Sequence, residues 1–429
     1  MKFLPCSILF ILVLFLTTQS QSQSLYGVNL AGAEFGETVL PGTYGTHYIY
    51  PSPASLDYYK GKGLKLVRLP FLWERLQPKM DSALSSTELA RIDAFVAGAQ
   101  SRGIYVILDV HNYARRTVSG TQYIISTPQV PVSSFVDFWT RLATHFKNDT
   151  TIWAYGIMNE PNSMNGTWPA TAQSVLTGVR SVDTVHTILM PGTDWSKAES
   201  WQAVNDGLKN LNDPYNNLLY EAHQYFDADY SGVYNNSYDT DGTYPTIGVD
   251  LASPFVNWLI ANNKKGFFGE YGVPGDDPRW NVVLDNFLSY LHNNCVGGTY
   301  WAGGPWWGNY NLSIEPSGGV DKPQMSVVSN YTSCSSPITA TKSGANFAEL
   351  ETYPNPLKKD LTVHASLKEN AELQIVIFDV LGQAVFEFTE TSVQGDYTKV
   401  LDLSNLENGC YFIKIVSGNN FQVRNLIKN

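Results

Sequence analysis

Two glutamates stand where a chain can do chemistry. Glu160 lies in Tyr155-Gly-Ile-Met-Asn-Glu-Pro161 and Glu270 in Gly266-Phe-Phe-Gly-Glu-Tyr-Gly272, each following a short apolar run that reads as a strand entering a loop. Two carboxyl groups held across a sugar ring are what glycoside cleavage requires: one protonates the departing oxygen and the other attacks. Hydrogen-bonding side chains gather at comparable points, with Arg68, His111, Asn112, Tyr113, Asn159, His223 and Tyr225 all at or near the ends of apolar runs. Trp73, Trp195, Trp301, Trp306 and Trp307 also follow such runs, and a flat indole can stack on a pyranose face. The sugar-platform reading is preferred over core packing for Trp195 and Trp301, and the two readings are balanced for the other three. His47, His145, His186, His292 and His364 read as ordinary structural histidines. No His-x-x-x-His or paired cysteines at ligand spacing occur, so neither a metal nor another cofactor is expected.

These groups need elements to carry them. From Leu25 to about Cys334, short β-branched and aromatic runs alternate with helical patterns, the order of repeated βα units around a parallel sheet. Expected strands are 25–30, 64–70, 105–110, 152–158, 187–190, 218–222, 266–269 and 298–301. Ser85 and Glu88 form a capping box for one helix, Leu89, Ile92, Val96 and Ala99 its apolar stripe, and Gly103 its stop. Further helices are expected over 135–146, 172–182, 255–260 and 282–291. Eight strands with intervening helices predict a closed (β/α)8 barrel, an α/β TIM barrel whose functional groups collect past the C-terminal strand ends.

The ends of the chain differ from its middle. Lys2, the apolar run Ile8–Leu16 and the small polar stretch to Ser24 read as a signal peptide over 1–24, too short in its apolar part to span a membrane. After the barrel domain, 25–334, a Ser/Thr/Lys linker covers 335–346. Residues 347–429 then show alternating strand patterns at 361–365, 373–378, 384–388, 398–403 and 411–416, with turns at Leu381-Gly382 and Asn408-Gly409. That predicts a small all-β sandwich. A formal net charge of −11 with no basic run excludes a nucleic-acid partner. With Cys6 inside the leader, Cys295, Cys334 and Cys410 are left; a Cys295–Cys334 bridge would staple the end of the large domain, and whether they pair stays open.

Residues 25 to about 330 resemble glycoside hydrolase family 5, of clan A. Beyond Asn159-Glu160-Pro161 and Glu270, the segments Gly27-Val-Asn-Leu-Ala-Gly, Arg68-Leu-Pro, Asp109-Val-His-Asn-Tyr-Ala-Arg115, Pro191-Gly-Thr-Asp-Trp195 and Ala222-His-Gln-Tyr-Phe-Asp227 resemble its cellulase subfamily. The resemblance implies a retaining endo-β-1,4-glucanase with Glu160 as acid/base and Glu270 as nucleophile. It also implies that Asn159 binds the 2-hydroxyl, Arg68 and Tyr225 hold the nucleophile, His111 and His223 line the cleaved subsite, and Trp301 is the platform there. Asn112, Tyr113 and Trp195 are expected to bind substrate as well. Mixed-linkage β-glucan, xyloglucan or β-mannan are alternative substrates, and a noncatalytic glycan-binding barrel is a further alternative. The tail resembles a type A sorting domain of the type IX secretion system through Tyr353-Pro-Asn-Pro356, Phe378-Asp-Val-Leu-Gly382, Leu401-Asp-Leu-Ser404 and Asn408-Gly-Cys-Tyr-Phe412. It implies outer-membrane secretion machinery as a partner and an extracellular or cell-surface destination for what is expected to be a monomer.

Overall fold

Runs that are apolar on both faces need cover on both sides, and eight of them find it by closing on one another. The computed structural model describes residues 24–164, 166–334, 347–379, 384–417 and 420–428. Strands β1 (Ser24–Leu30), β2 (Leu66–Phe71), β3 (Tyr105–Val110), β4 (Ile152–Gly156), β5 (Thr187–Pro191), β6 (Leu218–His223), β7 (Gly266–Tyr271) and β8 (Gly297–Gly303) pair in that order. All these pairs are parallel, and β8 closes on β1 with Tyr26 opposite Gly298. Every residue of β2, β5 and β7 is buried. Helices Pro53–Gly61, Ser86–Gln100, Val132–Phe146, Trp168–Arg180, Ile247–Ala261 and Arg279–Asn293 fill crossovers.

Inside the barrel, Leu25, Leu66, Ile107, Ala154, Leu189, Leu219 and Phe267 form one apolar floor. Side chains two residues further along a strand point the same way, so Arg68, Asp109 and Glu221 stand on this floor. Arg68 is thus a mid-strand residue and not the strand's end. At β7 the same count would put Gly269 and not Glu270 on the inner face. An irregularity in register between Ala222–His223 and Phe268–Glu270 resets the phase there. Such bulges re-aim a side chain beside an active site. Gly269 is required at the bulge: a Cβ on it would meet Glu221 Oε1 at 2.0 Å and His223 Nε2 at 2.6 Å.

The helix Ser86–Gln100 has half of its expected capping box. Ser85 Oγ accepts from the Glu88 N–H at 3.4 Å, but Glu88 turns its carboxylate to Tyr48, Tyr50 and Arg91. Its buried apolar face is Ile92, Phe95, Val96 and Ala99, with Leu89 only half-buried. Gly103 supplies the positive φ of 66° that ends this segment. The helix expected from Phe255 begins at Ile247 and carries Pro254 within it. A hairpin of Arg115–Val118 and Thr121–Ile124, which no expectation covered, follows β3. Cys295 and Cys334 are free thiols in contact, and burial together with Cys295 pushes the Cys334 thiol up.

Residue contacts divide the chain into two units, Met1–Ser336 and Pro337–Asn429. In the second, β9 (Phe347–Tyr353), β10 (Asp360–Phe378), β11 (Ala384–Asp402), β12 (Gly409–Ser417) and β13 (Asn420–Lys428) form one antiparallel sheet. Two pairs of expected short strands merge into β10 and β11. The polar stretch between them keeps pairing, Leu367 with Gly395 and Ala371 with Val393, across register irregularities that the alternation does not reveal. Alternate residues of both halves, including Leu361, Val363, Ile375 and Ile377, share one apolar core. Leu357 N–H, in the segment after β9, bonds to Ile427 O on β13 at 2.8 Å, and Arg424 on β13 donates to Leu350 O on β9, so the sheet folds over one core as a small β-sandwich. Residues 1–23 of the expected leader, the expected linker and the expected Leu381-Gly382 turn lie outside the described residues, whereas Ser24, the expected end of the leader, opens β1.

Candidate active site

Arg68 is fully buried and organises the C-terminal mouth of the barrel. Its Nη1 donates to Asn29 Oδ1 on β1 and to Glu270 Oε1 on β7, both at 2.9 Å. Its Nη2 donates to Asn159 Oδ1 at 2.9 Å and lies 2.9 Å from Asp109 Oδ1, while Nε is 3.3 Å from Glu221 Oε1. One guanidinium therefore ties together groups from β1, β3, β6, β7 and the loop after β4.

Around this hub the two glutamates receive different surroundings. Glu270 accepts from Arg68 on one oxygen and from the Tyr225 hydroxyl, at 2.8 Å, on the other. Burial acts to raise its pKa, but the charges of His223, Arg68 and His111 and the Tyr225 hydrogen bond outweigh burial and hold it below the usual carboxylate range. Glu160, at a positive φ of 42°, bonds through Oε1 to His223 Nδ1 at 2.9 Å. Its pKa is raised, by burial first and then by the charge of Glu270, with His223 pulling the other way. His223 is pushed up to about 10, because Glu270, Glu160 and Glu221 together overcome the burial that opposes its charge. An oxygen of Glu160, an oxygen of Glu270 and a ring nitrogen of His223 lie within 4.8 Å of one another. Among the described residues this is the one His/Cys/Asp/Glu cluster with spacing to hold a cation.

His111 is fixed from two sides: Nδ1 faces Asp109 Oδ2 at 2.8 Å, and the Asn159 side-chain amide, oriented by Arg68, lies 3.2 Å from Nε2. Its ring stacks on Trp301 with centroids 5.4 Å apart and planes 12° from parallel. Trp195 is 39% exposed and packs edge-on against Tyr113 at 5.8 Å. Two cavities form the cleft. One of 720 Å³ includes Glu160, His223, Tyr225, Trp195, Lys197 and Tyr230; one of 270 Å³ includes Glu34, Phe35, His111, Trp301 and Trp307. Tyr113 and Glu37 line both and join them.

Asn112 is not in the cleft. Its Oδ1 accepts from Trp73 N–H at 2.8 Å and its Nδ2 donates to Glu74 at 2.7 Å, so both ends of the amide serve the short helix Trp73–Leu76. Trp73 itself is core, whereas Trp307 lines the smaller cavity. His145 and His186 pair with Asp93 and Asp183 outside the cleft. Four polar groups escaped the expectations: Asn29, Glu34, Asp109 and Glu221. For the last two a signal existed, because Asp109-Val-His111 and Glu221-Ala-His223 are i, i+2 pairs that must share the inner face of a strand.

Residues 25–306 match the family described as Cellulase (glycosyl hydrolase family 5), over most of the barrel unit. The chain belongs to glycosyl hydrolase family 5. This family 5 hydrolase is 35% identical over 301 residues to the probable endo-beta-1,4-glucanase B of Neosartorya fischeri, a match covering 69% of this chain and 87% of that one. The crystal structure of Pseudomonas stutzeri endoglucanase Cel5A in complex with cellobiose is 42% identical, with a TM-score of 0.68 over 72% of this chain and 92% of that chain. The endo-beta-1,4-glucanase Xac0029 from Xanthomonas axonopodis pv. citri is 38% identical, with a TM-score of 0.67 over 72% and 98% of the two chains. Residues 351–429 of the hydrolase match the secretion system C-terminal sorting domain.

Proposed function

We propose that this family 5 hydrolase is a secreted endo-β-1,4-glucanase that works with retention, Glu270 as nucleophile and Glu160 as acid/base. The observation that carries the reading is the pair of carboxyl groups, with oxygens within 4.8 Å and pKa values driven in opposite directions. Retaining enzymes hold the two carboxyls roughly 5 to 5.5 Å apart, whereas inverting enzymes leave about 6.5 to 9.5 Å for a water.

In the first step a Glu270 oxygen attacks the anomeric carbon and the C–O bond to the leaving chain breaks. Glu160 gives its proton to the departing oxygen. Bond formation consumes the charge on Glu270, which removes one cause of the raised Glu160 pKa, so Glu160 can accept a proton from water in the second step. Arg68 and Tyr225 hold the nucleophile charged and aimed, and Asn159, fixed by Arg68, offers its amide at the sugar bound to Glu270. His111 and His223 line the cleaved subsite, Trp301 is its platform, and Tyr113 and Trp195 contact the chain.

The tail supports export through outer-membrane secretion machinery of type IX; the proposed domains run 1–24, 25–334, 335–346 and 347–429, and the exported protein is proposed to act as a monomer. Rapid viscosity loss of soluble cellulose with few new reducing ends is the expected signature of internal cutting. A panel with mixed-linkage glucan, xyloglucan and mannan separates the substrates; the substrate assignment fails if mannan is preferred. For the roles, Glu160→Ala should retain glycosylation by aryl glycosides with good leaving groups, whereas Glu270→Ala should lose it. A 2-fluoro glycoside should label Glu270, and product of inverted configuration would end the proposal.

A further inference from the structure

The chemistry above leaves one reactive pair unused. Cys295 lies between the helix Arg279–Asn293 and β8, at a positive φ of 51°, and is half-buried. Cys334 ends the two-residue strand Ser333–Cys334 and is 3% exposed. Both are held by the start of β1. Ser24 pairs antiparallel with Cys334, while its hydroxyl donates to Cys295 O at 2.9 Å. Two residues on, the Tyr26 N–H donates to Thr332 O at 3.1 Å and its hydroxyl to Val296 O at 2.9 Å. These bonds set the two thiols against each other as hydrogen-bond partners. They sit at the base of the seam where β8 closes on β1, at the end of the barrel away from Glu160 and Glu270.

A disulfide needs two cysteines whose backbones are already fixed at close range, so that bridging moves side chains and not the chain. Outside the cytoplasm such a pair meets oxidising conditions. Resting on the export proposed above, we propose that Cys295 and Cys334 are a covalent modification site, oxidised outside the cytoplasm to a disulfide that locks the barrel's seam. The oxidant is itself a disulfide, on a small molecule or a protein. The thiolate of Cys295, the more accessible of the two, attacks one sulfur of the oxidant and the other sulfur leaves as a thiolate. Cys334 then loses its proton and displaces the remaining oxidant sulfur from Cys295. One S–S bond forms in the chain and one is lost from the oxidant, which takes up two electrons and two protons. The closed loop, residues 295–334, contains β8, so the bond ties the closing strand of the ring to the opening one. Its effect falls on stability, through the unfolded chain, and not on the cleft.

The purified full chain, reduced and then exposed to oxidised glutathione, tests this once free thiols are alkylated and peptides are read by mass spectrometry. Expected is one cross-linked species joining the Cys295 and Cys334 peptides, formed by way of glutathione on Cys295. Oxidation should raise Tm by about 4 to 10 °C and leave kcat/KM on soluble cellulose within about twofold. Cys334→Ser should keep glutathione on Cys295 and lose the gain in Tm. Full alkylation of both thiols after oxidation, or a bridge from either to Cys410, overturns the proposal, and an unchanged Tm overturns the lock. If the serine variant fails to fold, alkylation of the unmodified chain recovered from outside the cell decides: a bridged peptide supports the site and two alkylated thiols reject it. Retention of active enzyme inside the cell would count against export alone, because the purified chain forms the bond without it.

Discussion

Tyr225 and Arg68 press on the same carboxylate by different means, and their removal has different signatures. The productive free enzyme has Glu270 charged and Glu160 protonated, so kcat/KM falls on the acid side through Glu270, below the usual carboxylate range, and on the alkaline side through Glu160, above it. The Tyr225 hydrogen bond lowers the Glu270 pKa, so Tyr225→Phe should move the acid limb to higher pH; a pH profile of kcat/KM checks this. Arg68→Met goes further, because it leaves Asp109, Glu221 and Glu270 buried without their shared cation. Breaking such a buried cluster costs about 3–5 kcal/mol, which thermal or denaturant unfolding will register. At this scale the sequence is informative wherever a motif is contiguous, as at Asn159-Glu160 or Asp109-Val-His111. It misplaces Asn112 because the partners that claim its amide, Trp73 and Glu74, come from the short helix after β2.

Strands set which side chains share a face, and β7 breaks that rule at the residue the chemistry needs. The bulge at Gly269 turns Glu270 inward, and only a residue without Cβ fits against Glu221 and His223. Gly269→Ala should therefore lower both thermal stability and kcat, the latter by about 100-fold as the nucleophile leaves its attack position. A variant with normal kcat would mean that the bulge does not aim Glu270. Short apolar runs, buried on both faces, made all eight barrel strands legible, but such runs carry no mark for a phase reset. The hairpin after β3 was illegible for a related reason: Arg115–Val118 and Thr121–Ile124 are polar and half-exposed, so no apolar pattern announces them.

The molecule divides at Ser336, and each unit has its own apolar core. A chain ending at Ser336 should keep kcat/KM on soluble cellulose within about twofold while losing its destination outside the cell, measured by activity of cell fractions. A large loss of activity would place part of the cleft's support in the tail. The division was readable as a change from mixed helix and strand periodicity to strand alternation alone, whereas the merging of four short strands into β10 and β11 depends on pairing between distant residues.

The dependence of Arg68 on partners from four other strands and the loop after β4 makes catalytic competence all-or-nothing. A barrel lacking one strand strands a charge in its interior and has no aligned nucleophile, so a half-assembled copy is both unstable and silent. Hydrolysis in this fold is thus its own quality control: activity appears only when the ring has closed.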